Sequence, residues 1–352
     1  MSRNCLVSVA SYSYLPKAIT MAESFAAYNQ DSDVFILVPD MSQSKIDSVK
    51  WSVPTSTKIL GVDVLDDPLI SMMHQYFDAF EFCCALKSFL LKYILFIKKY
   101  DNAVMLDPDI MCYGSFDEIW LELKKADIIL SPHTNTPMPD DGELPDDLEY
   151  ITAGFINGGF MAARQTPNAE KCLDWLINKV SDFGFFAPQF NLYSDQTWMS
   201  SLPWFFPEAV CVSRHYGVNV AYWNLHERTL LKVKNGYSSN DKQLVFFHYS
   251  GFQEGGFLKL TKHSNRTFNA ETNTVVSELL ADYDLRIKEV LVKIPQLIPD
   301  IPFVKLVLSK RLKVFKSLRG KAVKLSHFNQ SFAKKLIKFT YSIVRRCLGS
   351  TA

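Results

Sequence analysis

No Cys-x-x-Cys pair occurs among the seven cysteines, and their number is odd. Cys83 and Cys84 are adjacent, which disfavours their pairing with each other. A disulfide framework is therefore not indicated, and the thiols are expected to be reduced, as in a cytosolic protein. The N-terminus lacks a charged segment followed by a long apolar run, so no signal peptide is expected. No stretch of about 18 uncharged apolar residues is present, which argues against a membrane-spanning helix. No Gly-x-Gly-x-x-Gly lies between the first two predicted strands, so the dinucleotide fingerprint is missing and a nucleotide would have to be held in another way. Residues 301–352 contain no acidic residue against thirteen Lys or Arg, which leaves residues 1–300 with 25 basic and 37 acidic side chains, a net of −12. The overall charge of +1 thus hides an acidic body and a basic tail.

What is present is ordinary globular material. Of 352 residues, 48% are hydrophobic and 21% charged, enough for one large domain or two. The stretch of greatest interest is Ala103-Val104-Met105-Leu106-Asp107-Pro108-Asp109-Ile110. Four apolar residues predict a buried strand, and the proline should end it. Asp107 and Asp109 then sit at the carboxyl end, where open α/β sheets bind ligands. Two carboxylates so spaced could hold a divalent cation such as magnesium or manganese, and through it a diphosphate. The alternative is that Asp-Pro-Asp is only a turn.

Around it the chain alternates. Residues 5–10 and 34–38 predict strands flanking a helix from Lys17 to Tyr28, a βαβ unit. Tyr12 and Tyr14, after the first strand, could stack on a base or pack under the helix. Residues 45–50 predict a short helix, 57–65 a strand, and Phe77 to Lys99 one or two helices. Lys87 on that stretch could reach a phosphate or lie on a solvated face. Ser115 with Glu118 predicts a capping box for a helix from Phe116 to Lys125. Residues 127–130 predict a strand and 132–149 a mobile surface loop. Phe155-Ile156-Asn157-Gly158-Gly159-Phe160-Met161 is a strand broken by two glycines, which mark a bulge or a close approach by another group. A helix is predicted for Pro167 to Val180. Asp195 opens another, as catalyst or as N-cap. Leu244 to Gly251 is a last buried strand ending at His248, either a ligand or a buried, hydrogen-bonded histidine.

Four of these motifs, in order over roughly residues 4–270, resemble the nucleotide-sugar glycosyltransferases of the GT-A fold, closest in layout to glycosyltransferase family 8 and to bacterial polysaccharide-cluster transferases. Leu106-Asp107-Pro108-Asp109 resembles the DxD metal motif. Asn157-Gly158-Gly159 resembles the Asn-Ser-Gly segment that contacts the sugar. Asp195-Gln196 resembles the start of the Asp-Gln-Asp helix facing donor and acceptor. His248-Tyr249-Ser250-Gly251 resembles His-Phe-x-Gly, whose histidine is the third metal ligand. Asn219 to Leu225 matches the bacterial pattern. The family's Lys-Pro-Trp is absent, and Thr261 to Arg266 could supply that positive charge instead. Thr197 replaces the second aspartate of Asp-Gln-Asp, so whether Asp195 itself takes that role stays open.

The resemblance implies an α/β, Rossmann-like, mixed and mostly parallel sheet flanked by helices, assigned to residues 1–285; the charge and apolar pattern of the tail predicts a basic helical extension over 286–352. It implies Mn2+ or Mg2+ on Asp107, Asp109 and His248. Donor contacts would come from Ala10, Tyr12, Tyr14, Lys87, Asp107, Asn157, Gly158, Gly159, Gly251, His263 and Arg266. Asp195 and Gln196 would be catalytic, and Trp223 and Asn224 would line the acceptor site or, for the tryptophan, pack in the core. The expected activity is transfer from a nucleotide-diphosphate sugar, UDP-linked by expectation, to a glycan or lipid-linked glycan, with retention, in surface polysaccharide synthesis. The alternatives are an inert sugar-nucleotide or partner-binding module of this fold, and a nucleotidyltransferase. Interleaved apolar and basic residues in 301–352 suggest helices on an anionic membrane surface at the inner face of the cell membrane. The tail could instead dock on the acidic body. No nucleic-acid module is recognisable.

Overall fold

The structure, a computed structural model, describes residues 2–303 except 76, 189–190, 254–259 and 267–269. The basic stretch that predicts amphipathic helices lies, from 304 onward, outside the described residues.

Strands β1 (Asn4–Val9), β2 (Asp33–Val38), β3 (Thr57–Gly61), β4 (Asn102–Leu106), β6 (Ile128–Pro132) and β7 (Ile156–Arg164), with an edge strand Val210–Val212, form one seven-stranded sheet, while β5 (Ile110–Cys112) stands outside it. Its order is β3-β2-β1-β4-β7-β6, then the edge strand. β1 pairs in parallel with both β2 and β4, whereas β7 runs antiparallel to β4 and β6. The α/β, mixed and mostly parallel sheet expected from the sequence is therefore present. Its strands read as continuous apolar runs because both faces are covered. Cys5, Val7, Val9, Ala103 and Met105 enter one core, and Leu6, Ala10, Val104 and Leu106 enter the other.

The first core is roofed by helices Ala79–Lys92 and Pro167–Phe183, which pack on each other. The second is closed by Leu15–Tyr28, whose Ala18, Ile19, Ala22 and Phe25 are buried. Helix Ala79–Lys92 starts at a capping box made by Asp78 and Glu81. The box predicted at Ser115 is not formed. That helix spans Asp117–Glu122 with Phe116 at its N-cap, and Ser115 Oγ instead donates to Asp117 at 2.9 Å. The segment 132–149 is fastened rather than free-standing. The buried Arg266 guanidinium reaches Asp141 and the carbonyls of Glu143 and Pro145, and Glu227 accepts from the backbone N–H groups of Asn135 and Thr136. Helix Ala270–Leu291 runs across 285/286 and packs Tyr283, Ile287 and Val290 into the body.

Candidate metal and donor site

β4 ends at Leu106, and Pro108 turns the chain into β5. Asp107 is pinned by its backbone N–H to the Gly159 carbonyl at 2.9 Å, and the Asp109 carbonyl accepts from Tyr249 N–H at 2.8 Å. β5 pairs antiparallel with strand Phe246–His248, setting His248 opposite Ile110. The loop between β4 and β5 and the end of that last strand thereby meet. Ligand atoms of Asp107, Asp109 and His248 all lie within 4.8 Å of one another. His248 Nε2 stands 3.1 Å from Asp109 Oδ1. The imidazole is buried, while the two carboxylates keep 23% and 21% of their surface open. Burial works against the charge on Asp109, but His248 beside it, with Lys17 further off, holds its carboxyl below the ordinary range. Two carboxylates and an imidazole suit a divalent cation with positions left for substrate oxygens, so the donor set fits such an ion.

Behind this face lies Lys87. It is buried, not on a solvated face. Its Nζ sits 2.6 Å from Asp107 Oδ1 and 3.3 Å from Asp195 Oδ2, and donates to the Gly158 carbonyl at 3.0 Å. Burial opposes the ammonium charge, yet the two carboxylates outweigh it and raise the lysine pKa well above its usual value. Burial likewise raises the pKa of Asp195, with Lys87 pulling the other way and Asp107 adding to the rise. Asp195 belongs to helix Ser194–Met199 but does not cap it, because the N-cap is Tyr193 and the carboxylate turns to Lys87. Gln196 accepts from Gly158 N–H and donates to the Ala153 carbonyl, both at 3.0 Å, so it braces the glycine strand.

The two glycines of β7 have separate reasons. A Cβ on Gly159 would stand 2.4 Å from His248 Cε1, so the close approach expected in this strand is the histidine's. Gly158 faces Gln196 and Asp195. Asn157 is buried, with its amide engaged by Gly159 N–H, Asn219 and His133. Trp223 is buried edge-on against His248, and Asn224 is buried with its amide spent on Ala221 N–H and the carbonyls of His133 and Asn219. Neither side chain reaches the surface in this structure. Gly251 takes φ +74° and a Cβ there would meet His263, which stacks on Tyr222. Arg266 is turned to the 139–145 loop rather than to the carboxylates. Ala10 is buried beside Leu37 and Tyr14 is half exposed, with Lys17 over its ring. Tyr12 donates its hydroxyl to the Pro295 carbonyl and accepts from Leu297 N–H at 3.0 Å. The segment carrying those residues continues along the ends of β1 and β2, with Ile301 N–H on the Asp40 carbonyl and Asp300 on Ser42.

Three residues important to this geometry were not singled out as site residues from the sequence: His133, Asn219 and Lys17. A signal existed for His133, because it directly follows the apolar run of β6 and so lies at a strand end.

No family model matches this sequence, and no curated protein matches it. Solved structures of similar backbone include mouse xyloside xylosyltransferase 1 in its apo form, at 16% identity, covering 60% of this chain and 84% of that one, with a TM-score of 0.36. Glycosyltransferase GlyE of Streptococcus pneumoniae is 13% identical, with 83% and 64% covered and a TM-score of 0.46. Galactosyltransferase LgtC, in complex with donor and acceptor sugar analogues, is 17% identical, with 62% and 76% covered and a TM-score of 0.40. At such identities and TM-scores these likenesses carry no argument about chemistry, which rests on the side chains described above.

Proposed function

We propose that this chain is a metal-dependent glycosyltransferase using a nucleotide-diphosphate sugar, UDP-linked by expectation. The acceptor is a hydroxyl of a glycan or lipid-linked glycan in surface polysaccharide synthesis. The observation that carries this reading is the convergence of Asp107, Asp109 and His248 at the carboxyl end of β4. Charge builds on the departing diphosphate, and a divalent cation held there supplies Lewis-acid compensation when bound. Asp107 and Asp109 bring the anionic ligands, and Lys87 keeps Asp107 in place from behind. The buried pairing of Asp195 with Lys87 supports retention. A carboxylate held 3.3 Å from an ammonium is poorly placed to act as the free opposite-face base that inversion requires.

The deciding assay is nucleoside diphosphate release from a panel of sugar nucleotides, with manganese and with EDTA. Release from one donor, abolished by EDTA, is expected. Pyrophosphate release would instead indicate a nucleotidyltransferase, and binding without turnover across donors and acceptors an inert module.

The thirteen Lys and Arg of residues 301–352 support binding to an anionic membrane surface. No helix among the described residues is long and apolar enough to cross a membrane. Each basic residue near an anionic bilayer contributes about 1 kcal/mol, screened by salt. The full chain should therefore co-sediment with phosphatidylglycerol vesicles at low salt and be released at high salt. Equal sedimentation with phosphatidylcholine vesicles, or none with either, would remove the membrane from the proposal.

A further inference from the structure

Four buried side chains run from the metal ligand into the protein: His248, Asn219, Asn157 and His133. Their hydrogen-bond directions follow from one fixed donor. The backbone N–H of Gly159 can only donate, and it lies 3.0 Å from Asn157 Oδ1. That oxygen also accepts from Asn219 Nδ2 at 3.1 Å. The Asn157 amide nitrogen is then left to face His133 Nε2 at 3.2 Å, and since it donates, Nε2 must accept. A neutral His133 accepting at Nε2 carries its proton on Nδ1. At the other end, Asn219 has turned its nitrogen to Asn157, so its oxygen faces His248 Nδ1 at 3.2 Å. An oxygen there requires an N–H on Nδ1. The remaining nitrogen of His248, Nε2, is the one that faces Asp109.

We propose that His133 and Asn219 are positioning residues, forming with Asn157 a relay that fixes the ring tautomer of His248 so that its Nε2 lone pair points at the Asp107 and Asp109 carboxylates. The proposal rests on the metal-site reading above and places His133, two side chains removed from the ligand, as the acceptor that holds the Asn157 amide in the orientation the Gly159 N–H sets. With Nδ1 already protonated, Nε2 and Asp109 Oδ1 at 3.1 Å call for a positive centre between them, supplied by a proton or by a bound divalent cation. The relay thereby builds a demand for positive charge into the protein itself. Its members are held rigidly. Asn219 takes φ +54°, a conformation that asparagine tolerates better than most residues, and is fully buried. Asn224 donates to the backbone carbonyls of both His133 and Asn219, tying the two ends of the relay. Trp223 packs edge-on against the rings of both histidines. Burial lowers the pKa of His133 to about 4, against the pull of the Phe155 and Gly154 carbonyls, so its ring stays neutral at physiological pH. Outer-shell partners of ligating histidines act in this way in general, by fixing tautomer and ring orientation.

The test has two arms on the full chain. Long-range 1H–15N correlation spectra of histidine-labelled, metal-free protein report each ring's tautomer. Protonated Nδ1 on both His133 and His248, with a lone-pair Nε2 on His133, is expected. His133 found with its proton on Nε2, or as an imidazolium at pH 7, overturns the relay whether or not any variant folds. In the second arm, Mn2+ binding is measured by calorimetry for wild type, His133→Phe and His133→Gln. Phenylalanine keeps the ring but not the acceptor, and should weaken binding about 10-fold, at the lower end of the range for outer-shell partners. Glutamine can accept through Oε1 and should hold affinity near wild type. Equal affinity in wild type and His133→Phe, or equal loss in both variants, overturns the proposal. A wild type that binds no Mn2+ sinks the metal-site reading instead, while the tautomer spectra still decide the relay.

Discussion

Replacing Gly159 by alanine is expected to weaken divalent-cation binding by about 100-fold, the upper range for losing the groups that orient a metal ligand, with turnover falling at least as far. The added Cβ would stand 2.4 Å from His248 Cε1 and 2.8 Å from both His248 Nδ1 and Asn157 Oδ1. None of these atoms belongs to a flexible side-chain end. His248 is buried at 4%, pressed by Trp223 on one side and hydrogen-bonded to Asn219 on another. The ring must tilt or β7 must retreat, and β7 is laddered on both edges, to β4 and β6. Overpacking of this kind costs about 1–3 kcal/mol of stability, so the variant should still fold. Mn2+ titration and denaturant unfolding, measured together, separate the two effects. A Gly159→Ala protein with wild-type Mn2+ affinity would show that His248 is free to move or is no ligand.

The glycine was legible in the sequence and its partner was not. Two glycines interrupting an apolar strand announce a close approach, but which group approaches is a tertiary fact. It depends on strand Phe246–His248 pairing with β5 almost 140 positions earlier. The same division holds elsewhere. β1, β2 and β4 were readable because strands buried on both faces are continuous apolar runs bounded by turn residues. The cluster of Asp107, Asp109 and His248 was readable because each residue directly ends such a run or lies just beyond it. Lys87 was ambiguous for the opposite reason. On helix Ala79–Lys92 both faces carry apolar residues, so periodicity could not say that its ammonium points inward. The Ser115 capping box failed because the pattern of a hydroxyl three residues before a glutamate does not fix where the helix begins. Phe116, buried against Phe25 and Phe246, set that boundary instead. His133 was passed over because one histidine after a strand has no motif around it. Its meaning comes from the amide of Asn157 beside it.

Lys87→Met should be the most destabilising single change in the site, by about 3–5 kcal/mol, the range for breaking a buried ion pair from one side. The side chains of Lys87 and Asp195 are 9% and 6% exposed, so water cannot readily replace the lost ammonium. Methionine fills the volume but leaves Asp107 and Asp195 facing each other without a cation and the Gly158 carbonyl without its donor. The pH dependence gives the effect a signature. Asp195 already has a raised pKa in the folded protein, through burial first and Asp107 besides, and Lys87 is the group that restrains the rise. A carboxyl with a raised folded pKa favours the folded state most below the ordinary carboxylate range, and that advantage is lost as pH climbs through the folded value. Without Lys87 the rise grows, so the variant should be weakest near neutrality and should recover stability relative to wild type as the pH is lowered through the acid range. Lys87 itself acts in the other direction. Its raised pKa contributes stability below the ordinary lysine value that is lost only as pH climbs through the still higher folded one, so wild type should hold across neutrality and weaken in strong alkali. Urea unfolding of both proteins from pH 5 to 8 checks this. A stability gap that stays constant over that interval would mean that the lysine's contribution is packing rather than the neutralisation of two buried carboxylates.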